Sequence, residues 1–332
     1  MDARALVWHG GHDFEMVAVP LPELKQDELI VEMRAATICG SDRHTVLGRR
    51  LSPSPSILGH EGVGVVIASR REGVEVGQRV VLAVTAVCGT CDYCRRGLTA
   101  KCVTVAKMGH ERFDSAWSLS GTYATHIHVV SGQKVSVVPD TVSDAVAATA
   151  GCAVATVMAV MEAAGPVQGQ TVLVNGVGML GLVAVAEARR QGAAEVIACD
   201  PGEAARRLAS VAADRLAPTA VGFHADVVLE LSGARQGVID AVATLNVGGT
   251  AVLAGSVAPT EPIPLDPEWL VRGWRTVTGV HNYEPHHLDQ AVEFLTQVEL
   301  PWEEILGGPI RLEQIPAAFA GEDDSLRVVV KP

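Results

Sequence analysis

The sequence predicts an α/β protein of two domains, one rich in short β-strands and one built on a doubly wound parallel sheet. Its 332 residues exceed what one compact core usually holds, and 48% of them are hydrophobic. Glycine, proline and aspartate break the first 140 residues into short apolar runs, whereas strand and helix patterns alternate after about residue 145. This change of pattern predicts the β-rich domain first and the α/β domain second.

The strands predicted in the first part are short. Four runs are apolar or alternate between apolar and polar residues, as half-buried strands do: Leu29–Glu32, Val63–Ala68, Arg79–Val84 and Ala124–Val130. Brief strands separated by turn residues are typical of a barrel or a sandwich.

The second part alternates strands with helices, which predicts right-handed βαβ units and a parallel sheet. The predicted strands are Thr171–Asn175, Glu195–Cys199, Val227–Glu230 and Thr250–Ala254. The predicted helices between them are Met179–Gln191, Pro201–Ala213 and Arg235–Leu245. After about residue 282 the pattern is mixed, and the chain ends in a further predicted strand, Leu326–Lys331.

Charge and composition argue against several classes of partner. The chain has 26 basic and 38 acidic residues, a net charge of −12, which disfavours binding to nucleic acid or to anionic membranes. No secretory signal pattern is visible, and the longest uncharged run, Ala145–Met161, contains polar residues and falls short of the roughly 20 apolar residues of a membrane span. We therefore expect a cytoplasmic protein with a small-molecule substrate. Seven cysteines without an export signal favour metal binding or reactive thiols over disulfides.

Four cysteines form the strongest local motif, in a lobe of about residues 85–105. Cys88, Cys91, Cys94 and Cys102 follow the pattern C-x₂-C-x₂-C-x₇-C, and four thiolates at this spacing can surround one tetrahedral Zn²⁺. A closed set of four ligands leaves no position for a substrate, so the predicted zinc is structural. An iron–sulfur cluster, a redox C-x-x-C pair and unrelated reduced thiols are the alternatives.

A glycine-rich loop follows the strand that ends at Asn175. It has the pattern G-x-G-x-x-G, in which the glycines permit a tight turn and let the backbone approach a pyrophosphate at the start of a helix. Asp200 ends the next strand and is placed to accept hydrogen bonds from ribose hydroxyls, which predicts NAD, although Arg206 and Arg207 leave NADP open. The predicted cofactor contacts are Gly176, Val177, Gly178, Met179, Leu180, Gly181 and Asp200.

Several motifs occur together in one order along nearly the full length. They are Cys39-Gly-Ser-Asp-Arg-His44, Gly59-His-Glu61, the four-cysteine lobe, Cys152, the glycine loop and Asp200. In this combination the chain resembles the zinc-dependent medium-chain alcohol dehydrogenase family. The resemblance implies a GroES-like catalytic domain over residues 1–153, to which residues 282–332 return, and an inserted Rossmann NAD-binding domain over residues 154–281. We also expect a homo-oligomer, either a dimer or a tetramer.

The resemblance implies a second, catalytic zinc ion. Cys39, His60 and Cys152 would hold it with the fourth position open, although relatives often carry a carboxylate where this chain has Cys152. Glu61 would stand behind the metal and coordinate it transiently, and Asp42 would orient the imidazole of His60.

The resemblance also implies a reaction and its remaining residues. Zinc would act as a Lewis acid on an alcohol, Ser41 and His44 would relay its proton to solvent, and hydride would pass reversibly between the alcohol carbon and NAD. Thr156 and Arg327 match positions that support the nicotinamide and the pyrophosphate.

The substrate is open at this stage. Val84 suggests space for an alcohol bulkier than ethanol, such as a polyol. Five basic residues predicted at the entrance would suit an anionic, phosphonate-like substrate, with solvated surface charge as the alternative: Arg43, Arg49, Arg50, His110 and Arg112. A non-catalytic NAD-binding sensor or structural protein on the same fold and a zinc hydrolase are the alternative functions.

Overall fold

The structure, a computed structural model, describes residues 2–321 and 325–332. Its contacts divide the chain into two compact units. The β-rich unit comprises the chain through Ala155 together with Glu284–Gln297 and Trp302–Pro332, and the parallel-sheet unit comprises Thr156–Tyr283 and Val298–Pro301. The domain boundaries predicted from the sequence lie two residues before those of the units, and residues 298–301, which the sequence assigns to the first domain, group with the parallel-sheet unit.

The strands and helices have the following bounds. The strands are β1 (Asp2–Gly10), β2 (Asp13–Pro20), β3 (Leu29–Ile38), β4 (Ser56–Ile57), β5 (Gly62–Ser69), β6 (Arg79–Ala86), β7 (Ala106–Lys107), β8 (His126–Val129), β9 (Gln133–Val137), β10 (Thr171–Asn175), β11 (Glu195–Cys199), β12 (Arg215–Ala217), β13 (Ala225–Glu230), β14 (Leu245–Leu253), β15 (Thr276–Gly279), β16 (Leu306–Arg311) and β17 (Arg327–Lys331). The helices are α1 (Gly40–Val46), α2 (Asp92–Arg95), α3 (Asp144–Ala147), α4 (Ala153–Ala164), α5 (Met179–Arg190), α6 (Glu203–Ala209), α7 (Arg235–Ala243), α8 (Pro267–Arg272), α9 (Pro285–Gln297), α10 (Trp302–Ile305) and α11 (Ile315–Ala320), and short 3₁₀ turns cover Thr99–Lys101, Ala148–Gly151 and Leu312–Gln314.

The β-rich unit is organised around β3. This strand pairs antiparallel with β5, β8 and β17 within a sheet whose path runs β16-β17-β3-β5-β6-β7, and a smaller sheet has the order β2-β1-β4. Apolar side chains that alternate along these strands, among them Leu29, Val31, Val66 and Ile127, are fully buried in one cluster. The strand predicted over Leu29–Glu32 extends to Ile38, and this extension carries the chain directly to Cys39.

The parallel-sheet unit has the strand order β12-β11-β10-β13-β14-β15, and every neighbouring pair is parallel. This is the doubly wound order with β10 at the point where the direction of winding reverses. The predicted β10 and β11 have the observed bounds, because buried parallel strands are continuous apolar runs with sharp ends. The helix predicted over Pro201–Ala213 is shorter, since Gly202 has the extended backbone of an N-cap and turns follow Ala209.

The uncharged run over Ala145–Met161 lies in α3, a 3₁₀ turn and α4, and Val154 and Val157 are fully buried. In the part of the chain that the structure describes, no single helix is long and apolar enough to cross a membrane. One pair, Asp144–Gly151 with Ala153–Ala164, meets the length and composition required but is bent by 49°.

Candidate functional site

The four cysteines of the lobe converge on one point. The sulfurs of Cys88, Cys91, Cys94 and Cys102 all lie within 4.8 Å of one another, with 3.5 Å between those of Cys88 and Cys102. The backbone amides of Thr90 and Cys91 donate to the sulfur of Cys88 at 3.5 and 3.4 Å and lower the pKa of this thiol to about 5. Four sulfurs around one centre, with amide donors that stabilise thiolate, fit a tetrahedral zinc ion.

A second cluster of metal-ligating groups assembles inside the β-rich unit. Cys39 caps α1 directly after β3, His60 follows Gly59 ahead of β5, and Cys152 precedes α4. One ligand atom from each of these three residues lies within 4.8 Å of the others, and Cys39 and His60 are buried. Gly59 has φ +88° and leaves no room for a Cβ, which would lie 2.4 Å from the hydroxyl of Thr122. Among the residues that the structure describes, no fourth ligand atom joins this group, and two thiols with an imidazole fit a zinc ion that has an open position.

The carboxylate of Asp42 lies beside the imidazole of His60. One carboxylate oxygen lies 3.2 Å from Nδ1 of His60, and the other accepts hydrogen bonds from the Tyr123 hydroxyl and the Cys39 amide, each at 2.9 Å. Burial works against a charged imidazole, but the Asp42 carboxylate raises the pKa of His60 well above its usual value. With the Asp42 carboxylate beside Nδ1, Nε2 is left for the metal, and Nε2 also lies 3.2 Å from Oγ of Ser41.

Glu61 and Arg327 form a buried ion pair beside the cluster. Nε of Arg327 donates to Glu61 at 2.9 Å, and the hydroxyl of Thr37 donates to the same carboxylate oxygen. Burial raises the pKa of Glu61, and the guanidinium counteracts this rise. Nη2 of Arg327 lies 3.5 Å from the sulfur of Cys39. The thiol of Cys152 lowers the pKa of Cys39, and the Arg327 charge adds to this effect.

Three further residues expected at the site, Arg327, His44 and Thr156, have not been placed against a cofactor or a relay partner. All three guanidinium nitrogens of Arg327 have partners in the β-rich unit. Nε and Nη2 donate to Glu61, and Nη1 donates to the carbonyl of Leu326 at 2.8 Å. Its expected contact with pyrophosphate stays a prediction. His44 is exposed on α1, and no hydrogen bond joins it to Ser41 among the described residues, so the proton relay also stays a prediction. Thr156 is half-buried in the parallel-sheet unit.

The glycine loop has the form that phosphate binding needs. A Cβ on Gly176, where φ is +89°, would lie 2.5 Å from the amide of Ser232, and a Cβ on Gly181 would lie 2.1 Å from the carbonyl of Gly176. Both positions therefore require glycine for packing. Gly178, the N-cap of α5, has nothing within 4 Å of a Cβ position, so its backbone is open to a close ligand. Among the other predicted contacts Val177 and Met179 are buried and Leu180 is half-buried.

Asp200 holds the glycine loop as well as the end of β11. Its carboxylate accepts the amide of Val177 at 2.9 Å and that of Gly202 at 2.8 Å. Nη1 of Arg206 donates to the carbonyl oxygens of Asp200 and Pro201 at 2.5 and 2.8 Å, so this guanidinium folds back onto the same turn.

Sequence reasoning missed several residues of these sites. Tyr123 and Thr37 hold the two buried carboxylates, but each is remote in sequence from its partner and belongs to no local motif. Glu230 is fully buried at the end of β13, where it accepts from the amides of Ser232 and Gly233 at 2.9 and 3.1 Å. Of these residues, only Glu230 could have been found from the sequence. It ends a predicted parallel strand, and ligands bind outside the carboxyl ends of such strands.

Comparisons with known proteins agree with this arrangement. A model of the alcohol dehydrogenase GroES-like domain matches residues 25–140, and a model of the zinc-binding dehydrogenase domain matches residues 179–297. The chain is 32% identical over 268 residues to the L-threonine 3-dehydrogenase of Pyrococcus horikoshii, covering 74% of this chain and 73% of that protein. It is 31% identical over 291 residues to the enzyme of the same name from Escherichia coli K12, covering 81% of each.

Two solved structures are similar over the whole of both chains. An alcohol dehydrogenase from Thermotoga maritima superimposes with a TM-score of 0.92 at 25% identity. A protein described as a zinc-binding dehydrogenase from Sinorhizobium meliloti 1021, bound to NADP, superimposes with a TM-score of 0.89 at 25% identity.

A GroES-like β-rich unit joined to a Rossmann unit defines the class of protein as a dehydrogenase that acts on alcohols. The chain belongs to the zinc-dependent medium-chain dehydrogenase/reductase family and is an NAD(P)-linked oxidoreductase of CH–OH groups. The fold class, the family and the enzyme class predicted from the sequence are thereby confirmed.

Proposed function

We propose that the chain oxidises an alcohol to its aldehyde or ketone, and catalyses the reverse reduction, with NAD as the preferred cofactor. A catalytic zinc would lie between Cys39, His60 and Cys152, and a structural zinc would lie in the four-cysteine lobe. The observation that carries the proposal is the convergence of these three ligand atoms within 4.8 Å beside a buried Asp42 that orients the imidazole.

Zinc, when bound, supplies a Lewis acid that lowers the pKa of an alcohol hydroxyl. The two thiolates balance the charge of the dication, and Asp42 keeps Nδ1 of His60 away from it. Oγ of Ser41, 3.2 Å from Nε2 of His60, would accept the proton of a hydroxyl bound at this set while it releases its own hydroxyl proton towards solvent. His44, exposed three residues further along α1, would pass the proton to solvent.

The glycine loop and Asp200 would bind the cofactor, which supplies the hydride acceptor. The open backbone at Gly178 suits a pyrophosphate. Each carboxylate oxygen of Asp200 already accepts an amide but retains a second acceptor position for a ribose hydroxyl. A 2′-phosphate would lie against this negative charge, which supports NAD over NADP.

The cofactor preference is tested by exchanging Asp200 for serine. We expect weaker NAD binding and a smaller ratio of NAD to NADP efficiency, measured as kcat/KM with each cofactor. Asp240→Asn is the matched control, because this half-buried carboxylate lies outside the glycine loop and, among the described residues, accepts a side-chain hydrogen bond from Gln236 of its own helix. Equal or better use of NADP by the unmodified enzyme would show that Arg206 or Arg207, and not Asp200, determines the cofactor preference.

The reaction itself is tested with a panel of alcohols followed by NADH absorbance. The panel includes polyols, hydroxy acids and L-threonine, the last because the relatives are named for it. NADH formation that depends on added zinc after chelation is the expected result. Hydrolysis of esters without NAD reduction would favour the zinc hydrolase, and NADH binding without turnover of any substrate would favour the sensor.

We further propose a homo-oligomer, supported by the outer edge of the parallel sheet. Beside the edge strand β15, three apolar side chains are largely exposed: Val247, Val271 and Trp274. Backbone hydrogen bonds bring the segments that carry them together. The amide of Gly248 donates to the carbonyl of Gly273 at 2.7 Å, and the amide of Trp274 donates to the carbonyl of Val271 at 3.2 Å. An open strand edge flanked by apolar residues pairs readily with a second copy. Light scattering should find a dimer or tetramer that Trp274→Glu weakens, and a monomer would contradict the proposal.

A further inference from the structure

A buried carboxylate lies at the end of β13, beside the glycine loop. Glu230 is fully buried, and it is paired in register with Asn175, the last residue of β10, which directly precedes Gly176. Its Oε1 accepts the amides of Ser232 and Gly233 at 2.9 and 3.1 Å and also the hydroxyl of Ser232. These donors belong to the turn that follows β13, so the side chain folds back onto its own turn and holds it.

The same residue connects this turn to both neighbouring strands. Nδ2 of Asn175 lies 3.5 Å from Oε1 of Glu230 and 3.4 Å from the hydroxyl of Ser232. On the other side, the carbonyl of Glu230 accepts the amides of Ala254 and Gly255, which follow β14, at 2.9 and 3.0 Å. Glu230 therefore joins the ends of three adjacent strands, β10, β13 and β14, at the edge where a parallel sheet binds ligands.

The loops after these three strands are packed backbone against backbone. A Cβ on Gly176 would lie 2.5 Å from the amide nitrogen of Ser232, and a Cβ on Gly233, where φ is +66°, would lie 2.3 Å from the carbonyl oxygen of Gly255. A shift of the turn after β13 must therefore displace the glycine loop or the loop after β14. Because Glu230 holds that turn, it also constrains Gly176.

Asp200 has a comparable position on the other side of the glycine loop. It follows β11 and accepts the amide of Val177 at 2.9 Å, and the ribose of the adenosine half is expected beside it. Since the winding reverses at β10, a dinucleotide lies across this strand, with one half over β11 and the other over β13 and β14. The loops that Glu230 joins are therefore those of the nicotinamide half.

We propose that Glu230 is a positioning residue for the cofactor, which holds the loops after β13 and β14 in the conformation that binds the nicotinamide half of NAD. The inference rests on the proposed function. Among the described residues the side-chain partners of Glu230 are amides and a hydroxyl and not cations, so its carboxylate holds these loops and forms no ion pair. Loops that are ordered in advance bind a ligand without the free-energy cost of ordering them.

The binding test separates the two halves of the cofactor. Dissociation constants are measured on the zinc-loaded enzyme for NADH, by fluorescence, and for AMP, which carries the adenosine half with one phosphate, by calorimetry. Glu230→Ala leaves buried amides without their acceptor, so NADH should bind at least about tenfold more weakly, while the affinity for AMP should change by less than about twofold. Asp200→Ser, on the adenosine side, should weaken the binding of both ligands.

Two conservative variants distinguish the hydrogen bonds of Glu230 from its charge. Glu230→Gln keeps an acceptor oxygen at the same reach and should recover most of the NADH affinity. Glu230→Asp keeps the charge but shortens the side chain, so it should resemble Glu230→Ala, and it takes the place of that variant if the alanine protein does not fold.

Glu187→Ala is the matched control for a general loss of stability. This glutamate is also buried in the parallel-sheet unit, but it pairs with Arg190 of its own helix at 2.7 Å. Whatever its effect on Tm, the substitution should leave both dissociation constants unchanged.

The outcomes separate this inference from the proposed function. An unchanged NADH affinity in Glu230→Ala, equal weakening of NADH and AMP, or no recovery in Glu230→Gln would overturn the positioning role and leave the dehydrogenase intact. An unmodified enzyme that binds neither NADH nor NADPH would overturn the proposed function together with this role.

Discussion

The two cysteine clusters of the β-rich unit are built in different ways. The lobe takes all four sulfurs from fifteen residues of sequence, and the partners of Cys88 are the backbone amides of its own turn. The centre of Cys39, His60 and Cys152 takes its atoms from three distant segments. Around it lie buried side chains with charges, above all Asp42 and the pair of Glu61 with Arg327.

This difference implies that the lobe contributes to the stability of the fold and that the centre carries out the chemistry. A closed set of four thiolates can only order the chain that provides them. A set of three with an open position can act on a substrate, and the carboxylates around it determine how its ligands are oriented and charged. Loss of a residue should therefore affect turnover strongly at the centre and folding at the lobe.

The largest effect is expected for His60→Ala. Without the imidazole the Lewis acid is lost or displaced, and turnover should fall on the order of 10³-fold or more. The fold and NADH binding should persist, because the Rossmann unit is unchanged. The measurements are the rate with the best alcohol, thermal melting and NADH fluorescence. His126→Ala, which removes a buried imidazole away from the metal-ligand set, serves as the control.

An intermediate effect is expected for Asp42→Asn. The amide keeps the shape of the carboxylate but removes the charge beside Nδ1 of His60, so zinc affinity and turnover should fall by about 10–100-fold. Competition with a chelating dye measures the affinity. The exposed Asp140→Asn should leave it unchanged. A fully active, normally loaded Asp42→Asn enzyme would remove the distinction between the two clusters.

The smallest effect on turnover is expected for Cys94→Ala. Loss of the lobe zinc should lower Tm by about 5 °C or more, since unfolding no longer has to release the metal. At temperatures below both transitions, turnover should change by less than about tenfold. Cys199→Ala, at a buried cysteine of the other unit, should change neither zinc content nor rate. A rate loss equal to that of His60→Ala would place the chemistry in the lobe.

The same contrast explains which parts of the site can be predicted from the sequence alone. The lobe cysteines and the glycine loop are contiguous motifs, so spacing brings their residues together before any fold is known. The bounds of β10 and β11 were also predictable, because apolar runs of buried strands end at glycine and aspartate.

The centre was reached only through the family resemblance, because its ligands come from segments far apart in sequence. Arg327 lies in a predicted terminal strand, but nothing local indicates that its guanidinium reaches Glu61. The same holds for the Tyr123 hydroxyl on Asp42. The charge of His110, which was expected among the entrance cations, could not be predicted from the sequence either, because burial in the fold lowers the pKa of this imidazole to about 3.

The most direct test of the two-cluster account is zinc content measured together with turnover for three purified proteins. The unmodified enzyme should hold two zinc ions per chain. Cys91→Ser and Cys39→Ser should each hold one, and only Cys39→Ser should be folded and inactive, because the lobe zinc serves structure and the centre serves chemistry. A folded Cys39→Ser enzyme with normal turnover, or an unmodified enzyme that is fully active with a single zinc in the lobe, would contradict the account.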